Sequence, residues 1–195
     1  NNEKRQNVNM SEDRDQSRRD QILDAAVEAV GRYGYKRTSM DDIAAVVGIS
    51  RPALYQIFKN KADIYRAGLQ RYCDDSLGSV SSALAEDHPL EDRLRKAFDH
   101  AIIAPHRMIE AMPHGAEILS QKQDIGQDLM DTWGERFGEL LRAAFQRDMD
   151  LSDETAYQLA ATVMNVVTGI KARGLSSDEA EQELENLLGV MRLVG

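Results

Sequence analysis

TSMDDIAAVVGISRPALYQIFKNK, residues 38–61, divides into two short helices about a glycine. Ile43, Ala44 and Val47 recur at helical spacing over Asp41 to Val47. Thr38 or Ser39 can cap that helix, and Asp41 and Asp42 favour its first turn. Gly48 follows, where a left-handed backbone turn costs least for glycine. Ser50 caps a second helix, with Pro52 in its first turn, where a missing N–H is harmless. Leu54 and Phe58 face inward, and Ile49 packs from the turn. Arg51, Ala53, Tyr55 and Gln56 remain on other faces. Helix, glycine turn, helix is the plan of a helix-turn-helix, whose second helix enters the DNA major groove.

On the N-terminal side, Ser17 is expected to cap a helix running to about Tyr33, with Ile22, Ala25, Ala26, Ala29, Val30 and Tyr33 on its apolar face and Gly34 as its stop. Residues 1–16 are polar throughout and read as a disordered tail in which Met10 fits a natural start. Arg14, Arg18 and Arg19 are placed to touch phosphate. On the C-terminal side a long helix runs from about Asp63 to Ala85. Leu90, Leu94, Phe98 and Ile102 mark the next. Pro105 and Pro113 bracket a broken segment, the kind of place that forms a cavity wall or gate in an α-bundle. Helices follow over about Asp124–Asp148, from Ser152 to Arg173 before Gly174, and from Ser176 onward along Leu184, Leu187, Leu188, Met191 and Val194. The chain reads as all-α with about nine helices. A three-helix head over 17–62 precedes a helical body over 63–195.

Composition excludes several classes. The chain has 195 residues, 42% of them hydrophobic, enough for a real core. Its one cysteine, Cys73, rules out an internal disulfide framework and fits a small buried hydrophobe. No apolar run has the length of a membrane span, and no signal peptide is visible, so a cytoplasmic protein is expected. The net charge of −9 is unevenly spread. Residues 32–61 hold six Lys and Arg against two Asp and Glu, whereas residues 63–195 hold thirteen against twenty-four. A basic patch around the helix-turn-helix steers toward phosphate, and an acidic remainder limits indiscriminate binding.

From Arg18 to Tyr65 the sequence resembles the N-terminal domain of the TetR family of bacterial transcriptional repressors. The matching pieces are RRDQILDAAVEAVGRYGYKRTSMDDIAAVVGIS and RPALYQIFKNKADIY. The resemblance implies a ligand-responsive repressor that binds a palindromic operator as a homodimer and is released by a largely apolar small molecule, with no cofactor. Arg51 would read a base, its fork suiting guanine O6 and N7. Pro52 and Ala53 would meet a thymine methyl. Tyr55, Thr38, Ser39 and Lys61 would contact phosphate, with Gln56 and Lys59 secondary. Ile57 departs from the family, which commonly places an aromatic residue or His there as a phosphate anchor.

The resemblance also implies a ligand pocket in the body. Phe98, Ile102, Met108 and Met112 are candidates for its lining, together with Met130, Trp133, Phe137 and Met164. The last two helices would form the dimer surface through Leu159, Val163, Val167 and Ile170 on one and Leu184, Leu187, Leu188 and Met191 on the other. Two other classes stay open. His106 and Glu110, one helical turn apart, make a possible two-ligand metal pair beside His100 and His114. A small helical enzyme would need acid–base pairs such as Asp99 with His100. The chain, however, has no Gly-rich phosphate loop, nucleophile elbow or HExxH.

Overall fold

The computed structural model describes the backbone over residues 2–194, and side chains over 15–119 and 125–192. Among these residues it is all-helical. The nine α-helices are α1 (Asn2–Tyr33), α2 (Met40–Val47), α3 (Arg51–Ile57), α4 (Lys61–Leu84), α5 (Leu90–Phe98), α6 (Ala104–Glu110), α7 (Gly115–Met149), α8 (Asp153–Arg173) and α9 (Ser177–Val194), with a π-helical turn over Asp99–Ile103. No described helix is long and apolar enough to cross a membrane.

The chain forms two compact units, residues 1–70 with 112–126, and residues 71–111 with 127–195. In the first unit, Ile22, Leu23 and Ala26 of α1 pack with Met40, Ile43 and Ala44 of α2, Leu54 and Phe58 around α3, and Ile64 of α4. Residues 112–126, which the sequence assigns to the body, belong to this unit. The His114 N–H donates to Gly31 O at 3.3 Å, and the Tyr65 hydroxyl to Ile118 O at 2.6 Å. Gly34 has φ +87°, the left-handed region that favours glycine, with the Glu117 carboxylate beside it. Ser17 lies inside α1 rather than capping it. The expected tail, with Arg14, lies outside the described side chains as far as residue 14.

The second unit is built on Leu94, Ala97 and Phe98 of α5, Phe137, Leu141 and Phe145 of α7, and the inner faces of α8 and α9. The stripe from Leu90 to Ile102 does not stay α-helical. The π turn widens the coil, and Ala101, Ile102 and Ile103 are buried in succession within it. Pro105 explains part of this. It has no N–H to give the Ala101 carbonyl, and the Tyr72 hydroxyl donates there instead, at 3.3 Å. Burial pushes the Tyr72 hydroxyl up to about 12. The expected helix at Asp124 begins earlier, at Gly115, and carries its break at Gly126, where φ is −137°. Arg93 of α5 is 94% buried: its Nη1 donates to Leu84 O at 2.7 Å, its Nε to His88 O at 2.8 Å, and its Nη2 meets Asp148 at 3.0 Å.

Candidate nucleic-acid interface

Two caps set the angle between α2 and α3. Ser39 accepts from the Asp42 N–H, and Asp42 accepts from the Ser39 N–H, a reciprocal capping box. The hydrogen bonds from Ser39 hold the Asp42 carboxyl below its ordinary range. At the other end Gly48 has φ +76°, and its N–H reaches the last carbonyls of α2. Ser50 then accepts from the Ala53 N–H to begin α3, and Pro52 sits in its first turn. Phe58 ends α3 in an extended conformation, turned into the core at 1% exposure.

This arrangement sorts α3 into an inner and an outer face. Leu54 is fully buried, and Ile57 packs against the same core. Ile57 is therefore a packing residue where the resembling family places an anchor. Arg51, Pro52, Tyr55, Gln56 and Lys59 are exposed, with Ala53 half-buried beside them. The Arg51 guanidinium lies 5.5 Å from the centre of the Tyr55 ring and makes an ion pair with Asp41 of α2, Nη1 to Oδ2 2.7 Å. Asp41 is not singled out by the sequence beyond its place in the first turn of α2. Lys36 and Arg37, also exposed, lie in the loop before α2.

Three expected phosphate contacts are otherwise engaged. Thr38 is 2% exposed and its hydroxyl donates inward to Gly34 O at 2.9 Å. The Ser39 hydroxyl donates to Asp42 at 2.6 Å. Lys61 is half-buried, its ammonium donating to Tyr35 O and to Thr38 O and lying 4.2 Å from the Tyr35 ring centre. Burial lowers its pKa, with Glu117 acting in the opposite direction. Thr38 and Lys61 brace the loop before α2 from inside, and the exposed Ser39 caps the helix. Arg18 is exposed, whereas Arg19 packs its guanidinium over Phe58, 4.4 Å from the ring centre.

The expected pocket residues separate. Phe98, Trp133 and Phe137 form one buried aromatic cluster, with ring centres 6.1 and 5.3 Å apart along the chain of contacts. The Trp133 indole N–H donates to Ser76 Oγ at 3.2 Å, and the Lys171 ammonium lies 4.1 Å from its ring. Ile102 is buried; Met130 and Met164 are half-buried. Met108 is not a lining residue, being 53% exposed. Met112 packs beside Gly31 in the first unit. A groove of about 570 Å³ in the second unit is lined by Asp74, Asp75, Glu86, Lys96 and His100 over a floor of small residues, and by none of the eight expected side chains.

The dimer face also needs correction. Val163, Val167, Ile170, Leu184 and Leu188 are at most 3% exposed within the single chain, so they serve its own core. Leu159, Leu187 and Met191 are half-buried, and Tyr157 and Val190 stand out at 58% and 59% exposure. His106 and Glu110 come within 3.5 Å, but the Glu110 carboxylate accepts the Ser177 N–H at 3.1 Å, and its pKa is lowered first by the Ser177 side chain and then by this backbone bond. Among the described residues no three His, Cys, Asp or Glu gather as a metal site would require.

Residues 22–67 match the sequence profile of the bacterial regulatory proteins of the tetR family. The uncharacterized HTH-type transcriptional regulator YezE of Bacillus subtilis is 26% identical over 151 residues, 71% of this chain and 76% of that protein. The fatty acid metabolism regulator protein of the same organism is 25% identical over 175 residues, 90% of this chain and 77% of its own length. The crystal structure of a TetR-family regulator from Mesorhizobium loti superposes with a TM-score of 0.65 at 19% identity, covering 93% of this chain and 98% of the other.

Proposed function

The protein is a TetR-family transcriptional regulator with its helix-turn-helix within residues 22–67, and from that premise we propose that it is a repressor, binding a roughly palindromic operator as a homodimer and released by a small apolar effector. Regulators of this family are not enzymes, so the acid–base alternative falls away. The observation that carries the reading is the outer face of α3. Arg51, Pro52, Tyr55, Gln56 and Lys59 are displayed there while Leu54 and Phe58 anchor the helix beneath.

In this reading Arg51 takes a guanine edge, Pro52 and Ala53 lie against a thymine methyl, and the Tyr55 hydroxyl meets a phosphate. Gln56 and Lys59 join it on the backbone. Lys36 and Arg37 take the phosphate role expected of Thr38, Ser39 and Lys61. Dimerisation uses the outer faces of α8 and α9, where Tyr157 and Val190 join the half-buried Leu159, Leu187 and Met191. The effector enters at the Phe98–Trp133–Phe137 cluster, flanked by Met130 and Met164, whose flexible side chains suit an adaptable apolar site. A long acyl chain is the class favoured, because a relative covering most of this chain is a fatty acid metabolism regulator. The cluster is closed in this structure, so the effector must favour a state in which it opens.

Two measurements test the reading. Selection from a pool of short duplexes with random interiors should recover two-fold symmetric sites bound by a dimer, with affinity falling steeply as salt rises. Arg51→Ala should reduce discrimination between recovered and random duplex by roughly ten-fold or more while leaving helix content unchanged. Recovery of no preferred duplex, or binding as a monomer, would defeat the proposal. Trp133 is the chain's one tryptophan. Titration with oleate should therefore shift its fluorescence saturably and release bound operator over the same concentrations. Release with no change at Trp133 would remove the cluster as the effector site.

A further inference from the structure

We propose that Asp41 is a specificity-determining residue of the DNA-reading head, its carboxylate holding the Arg51 guanidinium at Nη1 so that the remaining N–H groups are presented to a guanine. This rests on Arg51 being the base contact. Asp41 lies in the first turn of α2 and Arg51 is the first residue of α3, so the pair spans the Gly48 turn from the supporting helix to the reading helix. Nη1 and Oδ2 are 2.7 Å apart, with the two side chains 59% and 57% exposed. The Tyr55 ring flanks the guanidinium, its centre 5.5 Å from Cζ. Arg51 is thus held by a carboxylate and an aromatic ring while still facing solvent.

A guanidinium carries five N–H donors in one plane, and guanine O6 and N7 need two of them. Asp41 engages Nη1, leaving donors for the base. A pair this exposed contributes little to folding in free solution. Contact with a duplex excludes water, and a guanidinium already oriented has less side-chain freedom left to lose. The carboxylate acts on the competing state as well. At a wrong base, an Arg51 without Asp41 can swing to a backbone phosphate, and the negative charge that opposed such a contact is gone. Both effects change discrimination in the same direction.

The test uses the full chain and one duplex recovered from the random pool. Its guanines are replaced singly by 7-deazaguanine, which lacks the N7 acceptor. The parent should lose roughly ten-fold or more in affinity at the guanine that Arg51 reads. Asp41→Asn should reduce that loss several-fold and raise affinity for random duplex, with helix content and melting unchanged. Asp41→Glu, which keeps the carboxylate, should recover most of the preference. In an Arg51→Ala background Asp41→Asn should add nothing to the 7-deazaguanine response, an outcome that a merely structural role would not produce. If Arg51→Ala abolishes the response while Asp41→Asn leaves it at the parent value, the role of Asp41 is overturned and the base contact stands. If Arg51→Ala leaves it intact, the base contact beneath the proposal fails. A rise of equal factor for recovered and random duplex in Asp41→Asn would make Asp41 a mask and overturn its positioning role.

Discussion

Arg93→Ala is expected to lower the unfolding free energy by about 3 kcal/mol, near the lower end of the cost of breaking a buried ion pair. The guanidinium is nearly excluded from solvent and joins three elements. It binds the last carbonyl of α4, the His88 carbonyl before α5, and Asp148 near the end of α7. Some of this survives the substitution. Leu84 O also accepts from Arg147 at 2.8 Å, and Asp148 keeps Arg147 at 2.8 Å. The His88 carbonyl and the volume of the side chain have no such substitute. Asp148→Asn should cost less, because the Leu84 and His88 carbonyls still accept from the buried Arg93 guanidinium.

The acid dependence separates the two variants. Arg147 first, and Arg93 after it, hold the Asp148 carboxyl below its ordinary value. A carboxyl lowered by folding stabilises fully above its unfolded value of about 4. That contribution is lost as pH falls through the lower, folded value. The stability gap between the parent and Asp148→Asn should therefore narrow as acid is added below about pH 4, where the parent's own carboxyl becomes neutral. Urea unfolding followed by circular dichroism at several pH values measures both effects. A gap that widens in acid would show that Asp148 is not the counter-charge.

The head was legible in the sequence because its signals are local. Ser39, Gly48, Ser50 and Pro52 each fix a backbone torsion or a hydrogen bond within a few residues, and each lies where its chemistry predicts. The body was legible as helices but less so as surfaces. A stripe such as Val163, Val167 and Ile170 shows which face is apolar, but not whether the same chain or a second copy covers it. The same holds for hydroxyls. Thr38 and Ser39 read as phosphate donors because a sequence does not show which way a hydroxyl turns, and Gly34 O and Asp42, four and three residues away, account for them. The π turn at Asp99–Ile103 had one signal, Pro105, which predicts a freed carbonyl at Ala101 without revealing that Tyr72 would supply the donor. Asp41 and Arg51 lie ten residues apart on different helices, a separation that no helical period brings together.

Phe58→Ala should have an effect of similar or greater size, about 3–5 kcal/mol, concentrated in the first unit. The ring ends α3 and is 1% exposed among Ile22, Ile43, Leu54 and Ile64. Arg19 lies over one of its faces and would lose that partner as well. The helix it terminates has seven residues, too few to persist without the core that holds it. Truncating the ring therefore removes the support of α3 together with the position of Arg51 and Tyr55. Duplex binding should be lost on recovered and random DNA alike, with a measurable drop in helix content on mild heating. Arg51→Ala behaves differently in this account: it removes preference while the helix remains. Phe58→Leu, which retains most of the volume, should cost less than about 1.5 kcal/mol and keep much of the binding. If Phe58→Ala bound the recovered duplex as the parent does, α3 would not depend on its core anchor. The outer face would then owe its geometry to the Ser50 cap and the Asp41 pair alone.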